Sequence, residues 1–456
     1  MKRRLPAILF LLIVAALLVP SLWGSPERPD RRLYVLSPHW EGIKYEFERG
    51  FREWYKAKHG EVIDIEWLDI GGTGRVKHYL DGQIRNADRT GQPVDVDVVF
   101  GGGDFMHRAL ADAGVLEPVA LPPDIGNDLP TDFAGIHLRD EEGRWLGAAL
   151  ATFGIVYNKA ILERKGLPEP TDWADLADPR LFSWVAAADM QMSGTAHAMC
   201  EIILQAYGWE EGFAILTKIM ANARYVAQAS SDVPEDIARG DVAYGLAIDF
   251  YALRQISLHG EERIGFTAPK KFTVVNADPI AKVKRCGNPD LADAFIIYVL
   301  SKAGQRLWCY PAGAPGGPEK FELGRLPIRR AVYDDPPDLL RVPFNPFTWH
   351  PEFEHDGRKA GKRWSVVEAY LGAALVANHE RLAAAWKAVI DAGCPDDLVA
   401  ALCDPILSEA DLMAFTTGEG RSAWRRDQFA KHAEWVARFR EKYLRVREQA
   451  RAWRPE

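Results

Sequence analysis

Cysteine is scarce in this sequence, and its spacing is uninformative. Cys200, Cys286, Cys309, Cys394 and Cys403 form no C-x-x-C pair, which excludes a zinc ribbon and a redox dithiol. An odd count leaves at least one thiol free even in an oxidising compartment, so buried free thiols are expected, and Cys394 with Cys403 is the pair to test for a bridge. A basic surplus is also lacking. The formal net charge is -8 and lysine and arginine are dispersed, so nucleic acid is not an expected partner. No G-x-S-x-G elbow or H-E-x-x-H helix occurs, which removes the common hydrolase signatures. Past Leu5–Val19 there is no long apolar run. With 48% hydrophobic residues the chain nevertheless has ample material for two or three compact units.

The first residues carry an address. Lys2, Arg3 and Arg4 precede the apolar run Leu5–Val19, and polar residues from Ser25 follow at once. That order and length predict a secretory signal peptide over 1–24, or an uncleaved N-terminal anchor, because Leu22 and Gly24 make a poor small-x-small cleavage match. The expected location is periplasmic or extracellular, with membrane tethering if the anchor persists. No cysteine follows the run, so lipid attachment there is not available.

The stretch "VDVDVVFGGGD", Val94 to Asp104, has the look of a nucleotide site. Met106 stands where a dinucleotide fingerprint needs its third glycine, and no Lys-Ser or Lys-Thr follows, so neither that fingerprint nor a P-loop is present. What remains is a buried strand over 96–100, an unobstructed loop, and Asp104 as expected N-cap of a helix from Phe105 to Ala113. Two preceding units share this plan. A strand at Leu33–Leu36 leads through Ser37-Pro38-His39 to a helix with Ile43, Phe47, Phe51 and Tyr55 on one face. A strand at Val62–Leu68 leads through Gly71–Gly74 to a helix bearing Val76, Leu80 and Ile84. Parallel strands with right-handed crossovers bring all three loops to one sheet edge, beside helix starts. The glycine loop is therefore expected to wall a solute cleft.

A second α/β unit runs over 151–277. Ser193 or Thr195 is expected to cap a helix through Cys200, Ser230-Ser231-Asp232 to precede a short helix, and "VAYGLAI" to lead into Asp249-Phe250-Tyr251. A strand at Pro279–Val283 returns the chain to the first unit. The fold class is thus α/β, with two lobes (32–150 plus 278–333, and 151–277), a two-segment hinge, and a helical C-terminal extension over 345–456. That extension carries Trp364, Trp386, Trp424, Trp435 and Trp453 and is expected to cap the first lobe.

Several segments together resemble the extracellular solute-binding proteins of ABC importers, in the group with ferric-iron-, thiamine- and phosphonate-binding members: "DVDVVFGGG", "LADAGVLEPV", "FGIVYNKAIL", "LPEPTDWADLADPRL", "SGTAHAM", "YGWEEGF" and "NPDLADAFIIYVLSKAGQRLW". The resemblance spans about Arg32 to Tyr333. It implies a periplasmic-binding-protein-like fold, no catalysis and no cofactor, a small-molecule solute, an ABC permease as partner, and a monomer. It also implies that His39 and Tyr251 occupy iron-ligand positions. The first tyrosine of the usual pair is replaced by Phe250, and the carboxylate ligand falls among the glycines, so the iron pattern is incomplete.

The charge of the solute stays open. Thr73, Ser193, Thr195, Ser230 and Ser231 supply hydroxyls at helix starts that suit an oxyanion, alongside Ser37, Gly102 and Gly103 in the loops. Asp104, Asp232 and Asp249, with the aromatic faces of Trp40, Phe250 and Tyr251, suit an amine. Two other functions compete with solute capture for import. One is a tethered sensor or adaptor that docks a partner through the C-terminal helices; the other is a secreted enzyme built on His39, Asp104 and Ser193.

Overall fold

The computed structural model describes residues 29–454, apart from 71–72, 134, 270, 343 and 350–352. The signal-peptide reading and the side chain of Thr73 lie outside what is described. Among the described residues no helix is long and apolar enough to cross a membrane.

The chain begins with the expected repeat: β1 (Arg31–Leu36), α1 (Glu41–His59), β2 (Ile63–Leu68), α2 (Thr73–Thr90), β3 (Val98–Phe100) and α3 (Asp104–Asp112). In α1 the four-residue spacing of Ile43, Phe47, Phe51 and Tyr55 puts these rings and branches on one buried face. Each contributes about 1.5–3 kcal/mol on burial. Gly60, at φ 75°, ends that helix by returning its N–H to the Lys56 carbonyl.

The long strand β4 (Leu146–Asn158) then passes from one core to the other, and all thirteen of its residues are buried. After it come β5 (Val185–Ala188), α4 (Gly194–Ala206), α5 (Trp209–Asn222), β6 (Ala223–Ala227), α6 (Asp232–Arg239), β7 (Tyr244–Ile248), α7 (Asp249–His259), β8 (Ile264–Thr267) and β9 (Val275–Val283). The strand order is β2-β1-β3-β9-β4-β7-β5-β6, with β8 paired to β4. The flanking pairs β1–β2, β1–β3, β5–β6 and β5–β7 are parallel, whereas β9 runs antiparallel to both β3 and β4. Gly154 of β4 has no room for a side chain: a Cβ there would lie 2.2 Å from the Thr267 carbonyl oxygen.

Two hydrophobic cores result. One gathers residues from Leu33 to Leu150, Ile136 excepted, and from Val275 to Ile328; the other gathers Ile136 and those between Ala151 and Val274. After α8 (Pro289–Leu300) and α9 (Lys302–Cys309), the C-terminal helices α10 (Gly357–Leu371), α11 (His379–Asp391), α12 (Asp396–Cys403) and α13 (Gly418–Ala452) join the second core. This corrects the expectation that they cap the first. The reason lies in α5. Its Asn222 is buried, its side-chain oxygen accepts from the Trp386 indole at 2.8 Å, and its amide donates to the Leu176 and Asp178 carbonyls. Trp209, also on α5, donates to the Leu407 carbonyl at 2.9 Å. Trp386, Trp424 and Trp435 are thus core residues, the last two stacked at 5.7 Å. All five cysteines are free thiols, so Cys394 and Cys403 form no bridge.

One acid is held at this interface at a cost. Burial, aided by Asp189, pushes the Glu368 carboxyl up to about 7. A raised carboxylate binds its proton more tightly in the folded chain, so the contribution of this group to stability is fully present below pH ~4.3 and is lost as pH rises through about 7. Glu368→Gln should therefore leave stability unchanged near pH 4 and raise it by on the order of 1 kcal/mol at pH 8, a discounted figure because the group is only partly buried. Urea unfolding at the two pH values checks this, and a gain of equal size at both would show that the carboxyl is not titrating.

Candidate functional site

The three glycines after β3 take φ values of 87°, 92° and 82°, a left-handed series that other residues adopt only with strain. Space requires them too, since a Cβ on Gly101 would come within 2.5 Å of His39 Nε2. Gly103, not Asp104, is the N-cap of α3; Asp104 lies in its first turn and pairs with Arg108 at 2.9 Å. The expected capping role fails because the helix begins one residue earlier, leaving the carboxylate beside a cation four residues on.

Behind the loop is a buried polar hub. Asp278 accepts from His39 Nε2 at 2.8 Å, from Arg325 Nη1 at 2.7 Å and from the Gly103 amide at 3.4 Å. The β9 register shifts between Asp278 and Pro279, a bulge that re-aims the strand where the acid sits. Burial would push Asp278 up, but the Arg325 guanidinium and His39 hold its carboxyl well below the usual range. Burial pushes His39 down, towards neutral imidazole. An ionised carboxylate only accepts, so Nε2 carries the His39 proton, and Nδ1 is buried without a partner.

His39 is packed edge-on to Phe100 at 4.6 Å and Trp308 at 6.2 Å. It stands behind the cleft wall with its Nε2 committed, which corrects its expected place as a free metal ligand. Ser37 is buried beside it, its hydroxyl oxygen accepting from the His39 amide. Among the described residues no three His, Cys, Asp or Glu side chains converge to hold a metal ion. Pattern reading missed Asp278 and Arg325, although an acid inside the apolar run "VVNADPIAKV" was a signal.

Arg325 has the most unusual setting. It is 1% exposed, its guanidinium lies 4.5 Å from the Phe250 ring of the second core and 4.9 Å from the Trp308 ring of the first, and Nε and Nη2 have no partner. A second contact spans the same gap, with Arg254 of α7 lying 5.4 Å from the Trp40 ring. Phe250, Tyr251 and Trp40 each follow the carboxyl end of a strand.

On the second core Ser193 caps α4, its oxygen accepting from the Ala196 amide at 3.3 Å, and its hydroxyl bonds that of Ser230. Thr195 and Ser231 are half-buried, whereas Asp232 is exposed and opens α6. Asp249 departs from expectation. It is buried, accepts from the Thr152 and Phe250 amides at 2.8 and 2.7 Å, and burial pushes it up to about 7. Its oxygens anchor the start of α7 to β4 and are not presented to a cleft. The half-buried Tyr251 ring lies 4.4 Å from Phe250, and burial pushes its hydroxyl up to about 12. His39, Asp104 and Ser193 bond Asp278, Arg108 and Ser230 respectively, so the triad is not assembled.

A cavity of about 450 Å³ lies between the cores on the side of α3 and α4. Phe153 and Asn276 of the crossing strands form its base, Arg108 and Phe105 one wall, Ile202 the other, and α10 its roof. That volume is within the usual range for small-molecule sites.

Two α/β cores joined by crossing strands, with helix starts and a charged hub facing each other across a gap, define the two-lobed periplasmic binding protein fold. The family model for bacterial extracellular solute-binding proteins matches residues 93–327, and the chain belongs to that family. A curated relative, the phosphoglycerate transport regulatory protein PgtC of Salmonella typhimurium, is 32% identical over 162 residues, which is 36% of this chain and 40% of the relative. The chain thus spans about two-fifths of that protein's length. An uncharacterized protein of Haemophilus influenzae is 29% identical over 54% of this chain and 69% of its own. Among solved structures, the periplasmic binding protein AfuA of Actinobacillus pleuropneumoniae, with exogenous fructose-6-phosphate bound, aligns at TM-score 0.55 and 19% identity over 74% of this chain and 98% of that one. Iron-bound HitA of Pseudomonas aeruginosa aligns at TM-score 0.50 and 19% identity over 70% and 95%. At these identities the likeness concerns the fold.

Proposed function

We propose that the protein is the solute-capturing component of an ABC importer, that it works outside the cytoplasmic membrane, and that its solute carries an anionic, phosphate-like group. The lobes are those read from the sequence, 32–150 with 278–333 and 151–277, and they close over the solute by rotating about β4 and β9. The permease receives the closed, loaded form; no bond is made or broken.

The observation that carries the sign of the solute is Arg325, a guanidinium enclosed by one ring from each lobe with two nitrogens unused. Unsatisfied charged donors are costly and find their complement in an oxyanion. Nearby, the Asp278 carboxyl is held well below the usual range and pairs with Arg325, Arg254 pairs with Glu235 at 3.2 Å, and burial pushes the Asp249 carboxyl up to about 7. Asp278 is already paired, whereas Arg325 keeps two nitrogens without a partner, which supports an anion over an amine. Gly102, Gly103, Ser193, Thr195, Ser231 and Tyr251 keep partial exposure and are assigned to the wall with Trp40. The sensor reading has less support, because the apolar face of the extension is spent on the second lobe.

Differential scanning of the purified chain with fructose 6-phosphate, 3-phosphoglycerate, inorganic phosphate and spermidine tests the reading. A ligand at a hundredfold excess over its Kd stabilises by about 2.7 kcal/mol, a rise of several degrees. A shift with spermidine and none with any phosphate compound would reverse the assigned charge.

A further inference from the structure

The C-terminal extension lies outside the family match, and its first helix reaches both lobes. Its hold on the second lobe is firm. Arg363 and Glu201, each 1% exposed, pair at 2.6 Å, and Arg363 also contacts Glu409. Val366, Val367 and Tyr370 are buried in the second core, and Asp356, which caps α10, exchanges two hydrogen bonds with Gln205 of α4. Any rigid rotation of the second lobe therefore carries α10 with it.

Trp364 is the next residue after Arg363 and faces the other way. One side of its ring packs on His197 of α4, with centroids 3.9 Å apart. His197 is wholly buried, neither ring nitrogen has a partner, and burial, reinforced by Arg363, pushes it down to about 3, so it is a neutral ring that serves as a platform. The Trp364 ring also stacks on Phe105 of α3, at 4.1 Å and 12°. Phe105 belongs to the first lobe, one residue past the glycine loop, and is 45% exposed. A large ring left that exposed on the first turn of a helix contributes little to its own core; its contact is with the extension. Trp364, Phe105 and the α10 glycines also line the 450 Å³ interlobe cavity.

We propose that Trp364 is a positioning residue that latches the two lobes, so that opening the cleft requires the Phe105–Trp364 stack to part. The latch rests on the interlobe reading given above. It sets how far the lobes separate without solute and how slowly a captured solute leaves. Because the ring rides on α10, the extension tunes release without supplying a group to the anion hub.

The test uses the full-length chain, spin-labelled at Arg89→Cys on the first lobe and Arg164→Cys on the second, both exposed, after Cys394→Ser. Of the native thiols Cys200, Cys286, Cys309 and Cys403 are buried and pushed up to about 11–12 by burial, so they label poorly. Pulsed electron-spin distances are measured with no ligand present. Trp364→Ala is expected to broaden the distribution towards longer separations, Trp364→Phe to retain most of the short population, and Phe105→Ala, which leaves the docking of α10 intact, to reproduce the alanine effect. Release of fructose 6-phosphate, or of 3-phosphoglycerate if that is the binder, is expected to quicken about three- to tenfold in both alanine variants, the value of one aromatic stack. Unchanged distances in both alanine variants overturn the latch. Broadened distances with no phosphate compound bound uphold the latch and overturn the solute class.

Discussion

Asp278→Asn is expected to destabilise the protein by about 3–5 kcal/mol, because the substitution leaves the Arg325 guanidinium buried with no counter-charge. The acid receives three donors at once, from His39, Arg325 and Gly103, and asparagine can satisfy them only by turning an amide N–H towards another donor. Urea unfolding at neutral pH measures the loss. The pH dependence separates charge from shape. The folded-state carboxyl is held well below its ordinary value, so its contribution is fully present above the unfolded pKa of about 3.9 and is lost as pH falls below it. The asparagine variant should lack that acid-side slope. Arg325→Met alone should also be damaging, since it strips Asp278 of its cation, but Asp278→Asn combined with Arg325→Met should cost less than the two single changes summed. Additivity in that cycle would mean the pair is not coupled.

The second large effect concerns the extension. Glu201→Gln removes the charge that balances Arg363 at a site where both side chains are 1% exposed, and an uncompensated buried guanidinium again costs about 3–5 kcal/mol. Arg363 keeps Glu409, which is about a third exposed, so the lower half of that range is expected. Glu201 lies on α4 and Arg363 on α10, so the loss should appear in the joint unfolding of the second lobe and the extension. One cooperative transition at lower temperature is expected by calorimetry. Two separated transitions, with the first lobe and α4 unmoved, would show that the extension folds on its own and that the shared core contributes little.

Much of this architecture is legible along the chain. The β-loop-α repeats, the face of α1 defined by Ile43, Phe47, Phe51 and Tyr55, the glycine loop at the end of β3 and Ser193, one of two candidate caps, all appear where the periodicity places them. These features follow from interactions within a few residues: hydrophobic spacing, cap chemistry and the freedom of glycine. The candidate site was legible only in outline. Trp40, Phe250 and Tyr251 follow strand ends, but His39, Ser37 and Asp249 are turned into buried hydrogen bonds.

By itself, then, the sequence determined the order of elements and the α/β class of the fold. Tertiary structure alone decided which polar groups face one another. Asp278 and Arg325 are 47 positions apart, and Glu201 and Arg363 are 162 apart. No local pattern links such pairs; their meeting depends on the bulge in β9 and on the packing of α10 against α4. The same holds for the extension. Its helices are plain from their spacing, but their choice of the second lobe depended on Asn222, whose side-chain oxygen meets the Trp386 indole only once α11 docks, and on Glu201, whose partner Arg363 arrives only with α10.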